Sequence, residues 1–223
     1  MSESKRVLIL TGSSRPGQTT SQSVGEYLAA ALAERGVQAE TVCARDALKS
    51  DQGIADMLAA IDRADVFILA FPLYVSTLSA LVTRALETIA ERRVGGERRP
   101  FIAICQGGYP EARQSEAALA ICQQFAREAN FEWAGGLAFG GGAMIGGQPL
   151  EKMGWVTKHV RRALDMTAEA IARGQPVPDE AVKTMAQLLL PTWLILPLLN
   201  GVMRLRLRQQ GALKNFRARP FAQ

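Results

Sequence analysis

The sequence predicts an α/β protein in which a five-stranded parallel sheet is covered by helices on both faces. Two features of the 223-residue chain lead to this prediction: short apolar runs recur along it, and stretches with helical spacing of apolar residues separate them. A continuous apolar run is typical of a parallel strand that is buried on both faces. Strands that alternate with helices are joined by right-handed crossovers, which build a doubly wound sheet.

The first strand and helix are the clearest. Residues 7–10 read Val-Leu-Ile-Leu between a charged pair and Gly12, as expected for a central strand. Residues 23–35 place apolar side chains at helical spacing, and Gly36 is a good helix stop. Residues 37–43 alternate in character and are predicted to form an edge strand.

The alternation of strands and helices continues to residue 173. Further strands are predicted at 65–71, 101–105 and 131–139, and further helices at 54–61, 78–92, 111–129 and 151–173. Five such strands fit the flavodoxin-like order 2-1-3-4-5, in which ligands bind beyond the carboxyl ends of the strands where the order reverses. We therefore expect a site at the loops after the first, third and fourth strands.

The loop after the first strand has the composition of a phosphate site. Five hydroxyl groups and one guanidinium follow Gly12, at Ser13, Ser14, Arg15, Thr19, Thr20 and Ser21. The next helix adds free N–H groups and the positive end of its dipole, which favour an anion. A polar helix cap is the alternative, but it needs one hydroxyl rather than five. Arg15 either binds the phosphate directly or covers the loop from outside.

The loop after the third strand begins with Pro72, which ends the strand ladder and fixes the turn. Leu73, Tyr74 and Val75 follow it. An aromatic side chain in this position can lie against a flat ring system. The alternative, in which Tyr74 packs on the following helix, stays open.

The loop after the fourth strand reads Gln106-Gly107-Gly108-Tyr109-Pro110. Two consecutive glycines let the backbone approach a ligand closely and point N–H groups at it. A plain strand-to-helix turn would rarely need both glycines together with a tyrosine and a proline. This loop is therefore a second candidate contact for a planar ligand.

Together these three motifs resemble the flavodoxin-like NAD(P)H-dependent FMN reductase and quinone reductase superfamily, over about residues 7 to 173. The resemblance implies that the first loop holds the FMN phosphate, through Ser13, Arg15, Thr19, Thr20 and Ser21. It implies that Pro72, Leu73, Tyr74 and Val75 run beside the isoalloxazine ring. It also implies that Gln106, Gly107, Gly108 and Tyr109 contact the polar edge of the ring.

The implied activity is an FMN-dependent oxidoreductase that takes hydride from NADH or NADPH and reduces a small-molecule acceptor such as a quinone, nitro compound, azo dye or flavin. No catalytic acid or base is required, because the cofactor carries the chemistry. Tyr74 and Tyr109 would shape the pocket, and the N–H groups of Gly107 and Gly108 could stabilise negative charge on the reduced ring. Two alternatives are a non-enzymatic electron carrier, which usually presents a strongly acidic face, and a flavin-free interaction module.

The cysteine and histidine content argues against a metal or iron–sulfur centre. Cys43, Cys105 and Cys122 are widely separated, and no Cys/His cluster occurs in the sequence. A reducing cytoplasm is therefore expected. The first six residues are polar and charged and lead straight into a strand, so no signal peptide is expected. His159, the sole histidine, stands among basic residues and is expected on a solvated helix face rather than in catalysis. Residues 140–147, rich in glycine, are expected to form a mobile loop, either a lid or a surface turn.

Charge and hydrophobicity set the C-terminal segment apart, and we expect a sheet domain at 1–178 and a helical extension at 179–223. Residues 188–199 are strongly apolar, and residues 201–223 carry six basic and no acidic side chains. The rest of the chain carries 20 basic and 21 acidic residues, so nucleic-acid binding by the domain is not expected. The extension is predicted to be a subunit arm in a homodimer or homotetramer. The alternative is a peripheral contact with the membrane surface.

Overall fold

The computed structural model describes residues 4–190, 192–209 and 211, and it confirms the predicted sheet. Five parallel strands lie in the order β2-β1-β3-β4-β5. Their bounds are Arg6–Thr11 (β1), Gln38–Cys43 (β2), Val66–Pro72 (β3), Arg99–Gln106 (β4) and Phe131–Phe139 (β5). The strand order reverses between β1 and β3, so the loops after these strands flank a crevice at the carboxyl edge of the sheet.

The helices depart from the predicted bounds mainly at their starts. They are Thr20–Ala33 (α1), Ala44–Ala47 (α2), Asp51–Arg63 (α3), Ala80–Arg92 (α4), Glu116–Glu128 (α5), Lys158–Ala172 (α6), Asp179–Met185 (α7) and Thr192–Gln209 (α8). Helix α1 begins three residues earlier than predicted because Thr19 caps it. Helices α5 and α6 begin later than predicted, since 3-10 turns at Ala112–Ser115 and Leu150–Met153 precede them.

Each face of the sheet carries its own apolar core. Alternate residues of β1 point to opposite faces, so that Leu8 and Leu10 join one core while Val7 and Ile9 join the other. Helices α3, α4 and α5 cover the first core, and α1, α6 and α7 cover the second. The first core contains a cluster of aromatic rings in which Phe67 and Phe101 stack with centroids 5.1 Å apart. This double-sided burial fixes the strand ends that carry the candidate site.

The contacts within the chain divide it into two units, residues 1–189 and 190–223. Met185 and Leu189 are buried in the core that α1 and α6 cover, so the first unit extends past residue 178, where the sequence predicts the boundary. The second unit contains α8, which has Pro197 in its interior. Within the described ranges, no helix combines the length and the hydropathy needed to cross a membrane.

Candidate functional site

A cavity of about 180 Å³ opens at the carboxyl ends of β1, β3 and β4. Residues from all three predicted loops line it: Ser13, Arg15, Thr19 and Thr20 from the first, Pro72, Leu73 and Tyr74 from the second, and Gln106 and Gly108 from the third. The other four candidates, which are Ser21, Val75, Gly107 and Tyr109, are not among the lining residues. The structure therefore brings most of the predicted residues to one place, and their roles toward FMN stay predictions.

The first loop begins at Gly12, where the surrounding packing requires a glycine. The Gly12 N–H donates to the Ala70 carbonyl at 2.8 Å, which holds the loop against β3. A Cβ atom at Gly12 would lie 2.6 Å from Cγ2 of Val82 and 3.0 Å from Cβ of Phe71. Because neither neighbour is free to withdraw from the core, only glycine allows this close exit from the strand.

The hydroxyl groups of the first loop have separate partners. Thr19 caps α1, since its Oγ1 accepts from the Gln22 N–H at 3.4 Å while Oε1 of Gln22 accepts from the Thr19 N–H at 2.9 Å. Thr20 Oγ1 donates to the Gly142 carbonyl at 2.9 Å. The buried Ser21 Oγ has no hydrogen-bond partner among the described residues. The polar-cap alternative thus accounts for Thr19, while Thr20 bonds Gly142 and the Ser21 hydroxyl remains without a partner among the described residues.

The electrostatics of the cavity suit a phosphate. Among the described residues that line it, none is acidic, and Arg15 is exposed at its rim. Thr20 and Ser21 are the first two residues of α1, where backbone N–H groups have no acceptor within the helix. Hydroxyl groups, a guanidinium and a helix amino end make up a donor set that fits the phosphate of FMN.

The second loop is a strained hairpin turn. The N–H of Tyr74 donates to the Thr77 carbonyl at 3.0 Å, and the N–H of Thr77 donates to the Tyr74 carbonyl at 3.2 Å. Val75 and Ser76 between them have φ of 50° and 61°, a region that a β-branched residue rarely adopts. Val75 is 94% exposed at the tip. Such strain persists where the surroundings impose it and often marks a functional loop.

Tyr74 lies against the first loop. Its hydroxyl is 3.3 Å from Oγ of Ser14, so the second loop contacts the candidate phosphate loop directly. Tyr74 is 40% exposed, and part of its ring lines the cavity. The side chain is thus placed to face a ligand on one side and the loop on the other.

Removing the Tyr74 hydroxyl should have only a small effect. We expect Tyr74→Phe to weaken FMN binding by about twofold or less, because the lost hydrogen bond is solvent-exposed. Tyr74→Ala should weaken FMN binding more, since it also removes the ring face. Fluorescence titration of both variants with FMN would measure the two contributions, and equal losses would contradict a role for the ring.

In the third loop, the structure contradicts the expectation that the Gly107 N–H could stabilise negative charge on the reduced ring. The Gly107 N–H donates to the Phe139 carbonyl at 3.0 Å, and the Gly107 carbonyl accepts from the Gly142 N–H at 2.9 Å. This N–H is therefore committed to the fold, and Gly107 is not available to stabilise charge on a ring. Gly108 is exposed at the cavity and keeps its place as the candidate donor. Tyr109 is 61% exposed, and its carbonyl accepts from the Gly141 N–H at 2.7 Å.

The glycine-rich segment 140–147 is packed, so the expectation of a mobile loop without fixed packing is wrong. It contains a 3-10 turn at Gly142–Met144, and the side chain of Ile145 is buried. Gly147, with φ of 84°, sits so close to the first loop that a Cβ atom there would lie 2.6 Å from the Gln18 carbonyl carbon. Gly142, Ala143 and Gly146 form a wall of the cavity, which makes this segment a fourth part of the site.

Arg45 supports the first loop from outside the cavity lining, and the sequence reasoning missed it. It lies in α2, and its Nη1 donates to the Arg15 carbonyl at 2.6 Å while its Nη2 lies 3.3 Å from Oδ2 of Asp46. Hydrogen bonds from Lys49 and Arg45 lower the pKa of Asp46 to about 2, so this carboxylate keeps its charge over the ordinary pH range. The predicted strand order could have identified Arg45, because β2 lies beside β1 and the loops after these two strands are therefore neighbours. Gln18, which bonds Glu26, was missed as well.

His159 is not on a fully solvated face, contrary to expectation. It is partly buried, and its Nε2 has no hydrogen-bond partner in the described part of the chain. Burial lowers the pKa of His159, and a hydrogen bond to the Gln187 backbone opposes part of this shift. The residue is not among those that line the cavity.

The partial burial of His159 makes the stability of the folded protein depend on pH. Because the folded pKa of His159 lies below the unfolded value, the unfolded state binds more protons between the two values. The free energy of unfolding should therefore fall as the pH drops through about 6.5 and below. Urea unfolding of the parent and of His159→Gln, each at pH 8 and pH 5, would test this. The parent should lose more stability than the variant, and equal losses would contradict the assignment.

The fold and the site define a flavin-binding protein of the flavodoxin-like class. The chain belongs to the NADPH-dependent FMN reductase family, whose model matches residues 5–129. Family membership makes FMN the cofactor and NAD(P)H the electron donor, and the chain is an oxidoreductase. A comparison with curated proteins gave no match.

Solved structures share the fold at low sequence identity. RosB with a bound 8-demethyl-8-formylriboflavin-5'-phosphate is 14% identical with a TM-score of 0.57, over 77% of this chain and 80% of that chain. A flavone reductase is 12% identical with a TM-score of 0.56, over 80% and 70% of the two chains. A quinone reductase of Klebsiella pneumoniae, described as putative, is 12% identical with a TM-score of 0.53, over 78% and 88%. These likenesses establish the fold.

Proposed function

We propose that this chain oxidises NADH or NADPH through bound FMN and reduces a small organic acceptor, namely a quinone, a nitro compound or a flavin. The observation that carries the proposal is the cavity at the switch point of the sheet, with Arg15 at its rim and no acidic residue among those that line it. When bound, FMN supplies the hydride chemistry, while the protein supplies position and electrostatics.

The phosphate end of the site would be the first loop. Arg15, the Ser13 hydroxyl and the amino end of α1 would hold the phosphate, with Thr20 and Ser21 contributing backbone N–H groups. Thr19 would act as the helix cap that orients this end of α1 rather than as a direct donor. The buried Ser21 hydroxyl is a further donor close to the same helix end.

The ring end of the site would be the second and third loops. Pro72, Leu73 and Tyr74 would lie along the isoalloxazine ring, with the exposed Val75 and Tyr109 at its outer rim. Gln106 and the Gly108 N–H would face the polar edge of the ring and counter negative charge that develops there. No side chain needs to transfer a proton in this scheme.

A single series of spectra tests the proposal. The purified protein, or protein incubated with FMN and then freed of unbound FMN, should show a flavin spectrum that bleaches on addition of NADH or NADPH without oxygen and recovers on addition of benzoquinone. Comparison of the two nucleotides identifies the preferred donor. Protein that is colourless after incubation with FMN and removal of the unbound FMN would refute the proposal. Bound FMN that neither nucleotide reduces would favour the electron carrier instead.

The phosphate assignment has its own test. Arg15→Ala should weaken binding of FMN by about tenfold and leave riboflavin binding unchanged, because riboflavin lacks the phosphate. Arg98→Ala is the matched control, since Arg98 is exposed and precedes β4 at the opposite edge of the sheet. Equal losses for FMN and riboflavin would show that Arg15 supports the loop and does not grip the phosphate.

The remaining expectations stay predictions. They are the cytoplasmic location and the homodimeric or homotetrameric state. Gel filtration with light scattering of the full chain would measure the oligomeric state.

A further inference from the structure

The C-terminal unit contains an exposed helix that is apolar at its start and basic at its end. Helix α8 runs over Thr192–Gln209 with the sequence TWLILPLLNGVMRLRLRQ. Trp193, Met203 and Leu205 are 75%, 50% and 58% exposed, and Arg204 and Arg208 are exposed beside them. Large apolar side chains that stand in solvent next to arginines indicate a surface that binds something amphipathic.

We propose that this unit docks on an anionic membrane surface, with α8 lying in the interface. Arg204 and Arg208 are four residues apart, so they lie on one side of the helix and can reach lipid headgroups together. Tryptophan is enriched at the level of the headgroups, which is the position expected for Trp193. Helix α8 combines an apolar first half, a basic end and no acidic residue, and basic segments of this kind are attracted to anionic lipid surfaces.

The distribution of charge favours lipid over a second copy of the chain. Residues 201–223 hold six basic and no acidic side chains, whereas the rest of the chain has 20 basic and 21 acidic residues. A second copy would therefore offer a nearly neutral body to a strongly basic tail. The headgroups of anionic lipids offer a dense negative surface, and they attract basic segments of this kind.

The apolar part of the unit favours lipid over nucleic acid. The phosphates of a nucleic acid could pair with the arginines, but a nucleic acid offers no apolar phase for Trp193, Met203 and Leu205. A lipid surface accommodates both parts of the helix, because the acyl region takes the apolar side chains while arginines extend to the headgroups. This inference does not depend on the proposed redox activity.

Co-sedimentation of the full chain with vesicles tests the inference. Binding is expected to vesicles with 30% phosphatidylglycerol in phosphatidylcholine, and should be at least about tenfold weaker with phosphatidylcholine alone. Arg204→Glu with Arg208→Glu should reduce binding to the anionic vesicles by at least about tenfold, and added salt should reduce it too. Trp193→Ser should weaken binding while leaving its salt dependence in place.

A matched control distinguishes an effect of the tail on vesicle binding from an effect of net charge alone. Arg84→Glu with Arg162→Glu makes the same charge change at exposed positions of the first unit and should leave vesicle binding unchanged. Circular dichroism and FMN content of each variant verify its fold. Absence of binding by the folded parent, or equal losses in both double variants, would overturn the proposal. So would a tail variant that changes only the oligomeric state or only binding to a DNA duplex.

Discussion

Replacing Gly147 by alanine is expected to lower the free energy of unfolding by about 2–4 kcal/mol and to weaken FMN binding. Gly147 has φ of 84°, and a Cβ atom there would lie 2.6 Å from the Gln18 carbonyl carbon and 3.0 Å from the Thr19 nitrogen. Both are backbone atoms, so the glycine-rich segment and the first loop must move apart. Urea unfolding and FMN titration of the variant would measure the two losses.

Gly36→Ala is the matched control for this prediction. Gly36 also has a positive φ, 72°, but a Cβ atom there would have no heavy atom within 4 Å, and the residue lies outside the cavity lining. The control should therefore lose only the cost of a left-handed alanine, about 1 kcal/mol, and should keep most of its FMN affinity. Similar losses in both variants would show that backbone conformation, and not the contact with the first loop, is what matters.

Replacing Arg45 by alanine is expected to weaken FMN binding by about tenfold. Arg45 donates a charged hydrogen bond of 2.6 Å to the Arg15 carbonyl and so fixes the exposed part of the first loop. Without it, the loop must be ordered by the incoming cofactor, which reduces the affinity. Fluorescence titration with FMN and with riboflavin would measure the effect for each ligand.

Two variants distinguish support of the loop from a general change of charge. Lys49→Ala removes a cation that also bonds Asp46 but has no side-chain hydrogen bond to the first loop among the described residues, and it should leave FMN affinity unchanged. Arg45→Lys retains the charge but lacks the fork that reaches both Asp46 and the loop, so a partial loss is expected. If Lys49→Ala weakens FMN binding as much as Arg45→Ala does, the positioning role is wrong.

The sequence predicted the sheet because its signals are local. Runs such as 66–71 are apolar throughout, and the helices between them have regular spacing, so strand order and the three site loops followed from general rules. The start of α1 was placed too late. A hydroxyl run gives no sign of which member caps the helix, and only the reciprocal bonds between Thr19 and Gln22 identify it.

The residues that were missed or misjudged depend on contacts between distant parts of the chain. Arg45 reaches Arg15 across 30 residues, and Thr20 reaches Gly142 across 122. A glycine-rich stretch looks flexible in the sequence, whereas here its small residues allow close approach to Gln18 and Gln106. The commitment of the Gly107 N–H to Phe139 likewise depends on how β4 and β5 meet.

The hydrogen bond between Thr20 and Gly142 ties the start of α1 to the segment after β5, so this end of the cavity is built from two regions that are far apart in sequence. Binding of a cofactor there would be coupled to the folding equilibrium, because only the folded chain brings the two regions together. A ligand held there stabilises the native state in proportion to the logarithm of its free concentration, by about 2.7 kcal/mol at a hundredfold excess over Kd. The thermal midpoint of this protein should therefore report the supply of FMN in its surroundings.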